Sequence, residues 1–370
     1  MGGRGRHRLM ALAAAWLLGG CEAPSAPPAP TADALVEGVA LVATGVAPGA
    51  LRLPDDHAAH PRQGGELWRL QAKLEVAGDR PQLFTLGIVR LNLGRPSRPQ
   101  SSAWSSDALL WGWSARLGPD GPGLAQRRAR ATLGLAGAAL SPARVWVRDW
   151  GLALGPGRPP WRLVFEDAEG TRLVLGGSRP ALGLARLGET LGVEATTAGL
   201  QGYLLSGLTV AGRLVVAGRA RPVTGQAWFE HLWGGGEGGT GAGAGLRLTR
   251  LTLQLDDART LACVELRRAE AGGRPIPGCV LVDAAAQVHR FRRRELRLEP
   301  LEGGARPARW RLEIPAVALA VELTPWDDAL ETIAPGVAVR VAGRAEGRVI
   351  EGWGWVESIG PGQRRRGEGE

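Results

Sequence analysis

The feature that most constrains this chain is an alternation of apolar and polar residues with a period of two. In residues 66–76 (ELWRLQAKLEV), Trp68, Leu70, Ala72, Leu74 and Val76 share one side, while Arg69, Gln71, Lys73 and Glu75 share the other. A helix would repeat every 3.6 residues, so this is the pattern of a strand buried on one face. The alternation returns in residues 161–165, 310–314 and 337–341. In residues 245–255 (GLRLTRLTLQL) the apolar phase slips by one at Arg250, which reads as a β-bulge. Gly 56 and Pro 26 are high, and with an apolar share of 44% they argue for many turns rather than disorder. Convincing helical periodicity is absent, apart from one possible turn at residues 327–332. The expectation is an all-β chain of antiparallel barrel or sandwich type.

The first residues follow a different logic. Arg4, Arg6 and Arg8 precede an apolar run at residues 9–18, and Leu18-Gly19-Gly20-Cys21 follows. The run is too short to span a bilayer, which takes about 20 residues. It reads as a signal peptide (1–20) whose lipobox cysteine, Cys21, would be lipidated and anchor the chain. The Pro/Ala-rich stretch within 21–50 is expected to be an extended linker. These features predict an exported, membrane-anchored lipoprotein on the periplasmic face of the inner or outer membrane.

The net charge is +9, almost wholly from arginine. The arginines are spread through strand patterns rather than gathered in a patch, so a nucleic-acid partner is not expected. Residues 292–294 and 364–366 are arginine runs, assigned to a solvated strand edge and to a loose tail (362–370). A basic surface facing anionic lipid remains open. Cys263 and Cys279 are equidistant from Ala271 in a Gly-rich turn. In an oxidising compartment they make a disulfide or two buried thiols. The glycine run at residues 234–245 precedes no helix and carries no P-loop lysine, so it reads as a rim loop. The seam between two barrel-sized halves is expected at residues 218–222, giving domains 51–222 and 223–361.

Residues 53–68 (LPDDHAAHPRQGGELW) resemble the opening motif of the carotenoid 1,2-hydratase and AttH-like family, through Pro54, Asp56, His57, His60, Glu66 and Trp68. Residues 223–233 (VTGQAWFEHLW) resemble the family's V-x-G-x-A-W-x-D-x-x-W segment. Residues 251–257 and 353–357 resemble two later segments, in the same order and spacing. The resemblance implies two tandem lipocalin-like antiparallel β-barrels. It also implies either a hydratase acting on an isolated C=C bond or a secreted protein associated with an ABC-type exporter.

In the hydratase reading a protonated carboxylic acid in an apolar pocket donates to the alkene, and aromatic faces stabilise the cation. Glu230 stands where the family has that acid, with His231 and His57 as catalytic candidates beside it. Trp228, Trp233, Trp68, Tyr203, Glu66, Asp56 and His60 are the ligand-binding candidates. Several departures weaken catalysis. Glu replaces Asp at 230, a family histidine is missing near Gly112 and Trp113, and Leu248-Thr249-Arg250 and Ala334-Pro335-Gly336 replace W-D-W and W-E-G. The preferred expectation is a lipoprotein binding an apolar lipid or isoprenoid-like molecule, with no cofactor and no metal. His57 and His60 are expected to hydrogen-bond the backbone rather than ligate an ion. Glu230 and His231 could form only a rim pair, and Glu66 could only pair with an arginine. No G-x-S-x-G elbow supports a serine hydrolase.

Overall fold

The computed structural model describes residues 51–93, 105–119, 121–140, 142–156, 158–183, 201–234, 246–268, 276–302, 309–326 and 336–359. The leader, Cys21 and the linker, the run from 235 to 245, the 269–273 turn, residues 327–332 and the tail lie outside them.

Two antiparallel sheets account for nearly all of these residues. The first is built from β1 (Gly65–Val76), β2 (Gln82–Asn92), β3 (Ala108–Gly118), β4 (Gly121–Arg130), β5 (Ala136–Leu140), β6 (Ala143–Val147), β7 (Trp150–Leu154), β8 (Trp161–Glu166), β9 (Arg172–Gly177), β10 (Leu182–Gly183), β11 (Gln201–Val216) and β12 (Arg219–Gly234). Its order is β4-β3-β2-β1-β12-β11-β9-β8-β7-β6-β5, with β10 beside β11, and it curls into a nearly closed barrel. The second contains β13 (Leu246–Leu255), β14 (Thr260–Arg268), β15 (Ile276–Val282), β16 (Val288–Arg292), β17 (Arg297–Pro300), β18 (Trp310–Ile314), β19 (Leu319–Pro325), β20 (Val337–Ala345) and β21 (Arg348–Ile359). It runs β16-β15-β14-β13-β21-β20-β19-β18-β17 as a half-barrel. The tandem lipocalin-like architecture is thus present. Two 3-10 turns, Asp55–His57 and Pro315–Val317, are the helical pieces among the described residues.

The two sheets meet elsewhere in the sequence than the expected seam. Gly218, with φ +74°, makes the hairpin between β11 and β12, and β12 pairs with the whole of β1 through residues 223–234. The change of sheet therefore falls between Gly234 and Leu246.

The period-two pattern also has a different cause from the one it suggested. The polar side of β1 does not face water: Arg69 is 2% and Gln71 1% exposed. Trp68, Leu70, Ala72 and Leu74 line the barrel interior with Phe229 and Trp233 of β12. Leu67, Trp228 and Leu232, on the opposite face, pack with Trp353 and Trp355 of the second sheet. β1 and β12 therefore form a wall shared by two cores. The phase slip at Arg250 has the same origin. β13 keeps an unbroken register with both β14 and β21, so no bulge exists there. Leu251, Leu253 and Leu255 enter the half-barrel core, while Arg250 points to the first sheet. The register does shift in β11, between Leu205 and Leu208.

Cys263 and Cys279 face each other across β14 and β15 and are joined by a disulfide inside the half-barrel core. Closing a loop of this length stabilises the fold by about 3 kcal/mol. Among the described residues no helix is long and apolar enough to cross a membrane.

Candidate functional site

Two buried polar clusters flank the shared wall, and most of the candidate residues fall into the first. It sits inside the barrel, where the 3-10 turn Asp55–His57 and the loop to His60 meet β1, β11 and β12. Alternation places Glu66 and Trp68 of β1, and His231 and Trp233 of β12, on the inner face, with Tyr203 arriving from β11. Glu66, Tyr203 and His231 are wholly buried, and His57 nearly so.

Glu66 is the hub. The backbone N–H of His60 donates to both of its oxygens at 3.0 Å. His60 Nδ1 and His231 Nε2 lie 2.7 and 2.9 Å from its Oε1. Arg90 Nη1 stands 4.0 Å from Oε2. Burial pushes the Glu66 carboxyl up, but the hydrogen bonds from His231 and His60 outweigh it, so its pKa lies below the usual range. Burial lowers the pKa of His231, and Glu66 only partly restores it. Aromatic faces fix the rings: His60 stacks on Trp233 at 3.9 Å and His231 on Trp68 at 4.7 Å between centroids.

Beside this hub, His57 Nδ1 lies 2.5 Å from the Tyr203 hydroxyl. Burial, then the neighbouring His231, lowers the His57 pKa to about 4. Burial holds the phenol well above its ordinary value. Both groups are neutral near pH 7, and His57 Nε2 has no hydrogen-bond partner. The pair can pass a proton, but it carries no charge of its own.

The second cluster lies in the seam between the sheets. Arg69 of β1 bonds Glu230 of β12 and Glu357 of β21, and Arg250 of β13 bonds Glu230 from the other side. Arg250 Nη1 is 3.7 Å from Glu357 Oε2. Two cations and two anions thus interlock across the two sheets. Trp228 stacks on Trp353 at 4.5 Å and donates its indole N–H to Gln71 at 2.9 Å.

Glu230 is therefore not the acid that its position in the motif suggested. It lies on the seam face of β12, opposite to the barrel interior, and it does not pair with His231. Burial pushes its carboxyl up, but Arg250 and Arg69 outweigh that, and it stays ionised. An ionised carboxylate has no proton to give. Trp228 shares that face, whereas Trp233 looks into the barrel. Asp56 flanks the barrel cluster, with Oδ1 3.4 Å from His60 Nε2. Where the resemblance implied a histidine, the Trp113 indole fills the space. It lies over Gly87, where any Cβ would come within 2.1 Å of the ring.

Arg69, Gln71, Arg250, Glu357, Trp353 and Trp355 were not singled out as site residues from sequence. The signal was available at Arg250, where a charge interrupts the apolar phase, and at Arg69 and Gln71, whose polar row looks solvent-facing without the second sheet.

The AttH-like family profile matches residues 44–360. Two solved structures share the fold. A protein described as AttH from Nitrosomonas europaea has a TM-score of 0.63 at 20% identity, over 84% of this chain and 98% of that one. Kievitone hydratase from Nectria haematococca has a TM-score of 0.57 at 12% identity, over 87% and 96%. At such identities the likeness concerns the fold alone. No curated protein sequence matches the chain. The profile runs through both sheets and both polar clusters, and the chain belongs to the AttH-like family.

Proposed function

We propose that this chain is an exported lipoprotein that binds an apolar molecule with an oxygen-bearing, anionic head, and that the seam between the sheets is its binding surface. The observation that carries the reading is a surplus of buried donors. The indole N–H groups of Trp113, Trp353 and Trp355 and the Arg69 Nε–H have no hydrogen-bond partner. Against them stands Glu357 Oε2, which faces Arg250. An unmet buried donor costs about 1–3 kcal/mol, and ligand oxygens would satisfy several at once.

A cleft at the edge of the seam supports this reading. A cleft of about 530 Å³ is lined by Lys73, Arg80, Leu117, Trp326 and Arg340, among others. Leu117 and Trp326 belong to the same apolar cluster as Trp228 and Trp353. Arg69, Gln71 and Lys73 alternate along one face of β1, so a polar row leads from the buried ions to the cleft. Its three cations favour an anionic head, and the tryptophans favour a lipid or isoprenoid body. The Cys263–Cys279 disulfide supports an oxidising compartment, in keeping with a lipidated Cys21. An ABC-type exporter as partner rests on the family resemblance.

A second reading, hydration of a carbon–carbon double bond, is favoured by one observation: the neutral His57–Tyr203 pair buried beside apolar rings. The structural likeness to kievitone hydratase accords with it. The acid would then be one of this pair and not Glu230.

Tryptophan fluorescence titrated with a long-chain fatty acid tests the binding reading. Saturable quenching is expected, and Lys73→Glu with Arg340→Glu should weaken it at least tenfold without unfolding the chain. Unchanged binding by that variant would exclude the cleft. Product analysis of the same mixtures with an isoprenoid alkene detects any hydration. Equal uptake of a fatty-acid label by wild type and Cys21→Ala would exclude the anchor.

A further inference from the structure

We propose that His60 Nδ1, Glu66 Oε1 and His231 Nε2 form a binding site for a divalent cation of the zinc type. The three come from separate parts of the chain, the loop before β1, β1 itself and β12, and their ligand atoms all lie within 4.8 Å of one another. Both imidazoles aim a nitrogen at the same oxygen of Glu66, while Arg90 stands off the other one.

The case rests on where the protons are. An ionised carboxylate accepts and never donates, so without a cation both rings must turn an N–H inward to Glu66. Their outer nitrogens are then bare lone pairs. His60 Nε2 faces the Asp56 carboxylate at 3.4 Å. His231 Nδ1, fully buried, has no hydrogen-bond partner, and the Asp56 carbonyl lies near its ring. On both sides a lone pair confronts an acceptor oxygen. A cation between the rings and Glu66 reverses this. The inner nitrogens give it their lone pairs, and the outer nitrogens carry the protons and donate to the two oxygens of Asp56. Carboxylates and carbonyls behind ligand histidines hold metal sites in just this way. Protonating both rings would satisfy the same oxygens, but only by burying two cations against one carboxylate.

Two imidazoles and a carboxylate suit zinc better than calcium or magnesium, and three protein ligands leave a fourth position open. Ligand atoms around zinc lie about 3.4 Å apart for bonds of about 2.1 Å. The nitrogens are now at 2.7 and 2.9 Å from the oxygen, so Glu66 has to withdraw by roughly half an ångström. Trp233 and Trp68, stacked on the two rings, hold the imidazole planes while it does so.

Zinc chloride titrated into tag-free, chelator-treated protein, followed by calorimetry, should show one saturable site. Cobalt(II) in its place should give the visible absorption of a four-coordinate ion. His60→Ala, at the part-exposed ligand, should lower affinity at least tenfold. Asp56→Asn should lower it tenfold to a hundredfold and keep the cobalt spectrum. His289→Ala, an exposed histidine of the other sheet, should leave affinity unchanged. Wild-type protein that takes up no zinc would overturn the proposal. So would a folded His60→Ala chain with wild-type affinity, or a His289→Ala chain as impaired as His60→Ala. If His60→Ala does not fold, Asp56→Asn decides: unaltered affinity there overturns the proposal equally.

Discussion

The barrel interior and the seam both bury polar groups at nearly zero exposure, yet they handle charge in opposite ways. Inside the barrel, the imidazoles of His60 and His231 hold one carboxylate, Glu66, by hydrogen bonds. In the seam, Arg69 and Arg250 oppose Glu230 and Glu357, two charges of each sign that sum to zero. The difference teaches where each cluster is brittle. Removing one ion unbalances the seam, whereas acid unbalances the barrel.

The largest effect is expected from Arg69→Met. It leaves two buried carboxylates to one arginine, and breaking such a pair costs about 3–5 kcal/mol. Denaturant unfolding measures it. Adding Glu357→Leu restores the balance and should recover most of the loss. If Arg69→Met costs under about 1 kcal/mol, the seam is wet and the contrast with the barrel fails.

Acid probes the other side. His57 has a folded pKa of about 4 against 6.5 when free, so the unfolded chain binds the proton more readily. Its contribution is fully present above pH 6.5, declines as pH falls through the interval to 4, and then levels off. A shift of this size corresponds to a loss on the order of 3 kcal/mol. The Glu66 and Glu230 carboxylates titrate below their ordinary 4.5, so the upper part of the interval belongs to the histidines. His57→Gln should flatten the stability profile between pH 6.5 and 4.5. An unchanged profile would take His57 out of the acid response.

Tyr203→Phe should have the smallest effect, about 1–2 kcal/mol, because it removes one neutral hydrogen bond and leaves His57 Nδ1 unmet. It also steepens the contrast if the seam variants keep their larger losses. A loss as large as that of Arg69→Met would mean that the phenol organises the whole barrel cluster.

Much of this is legible in the amino-acid sequence alone. The alternation in β1, β8, β18 and β20 is enough for an all-β chain, and the family resemblance of residues 53–68 draws attention to His57, His60, Glu66 and Trp68, which the fold gathers inside the barrel. What stayed hidden depends on a second sheet. A strand buried on both faces with one polar row looks like a strand with one wet face, so Arg69 and Gln71 passed as surface. The setting of Glu230 stays hidden because period two tells which residues share a face, and not which face is the lumen. The seam was misplaced because the Ala217–Gly218 turn reads as a boundary, and only pairing with β1 binds β12 to the first sheet.

The shared wall makes the two halves poor candidates for separate lives. Cutting the chain between Gly234 and Leu246 would leave β1 and β12 presenting Arg69, Trp228 and Glu230 to water, and β13 and β21 presenting Arg250, Trp353 and Glu357. Each fragment would carry an apolar surface studded with unpaired charges, the kind that aggregates or seeks its complement. Expressed together, the fragments should find each other through that face. Expressed alone, neither should remain in solution, and a circular permutant opened elsewhere should fare better than either.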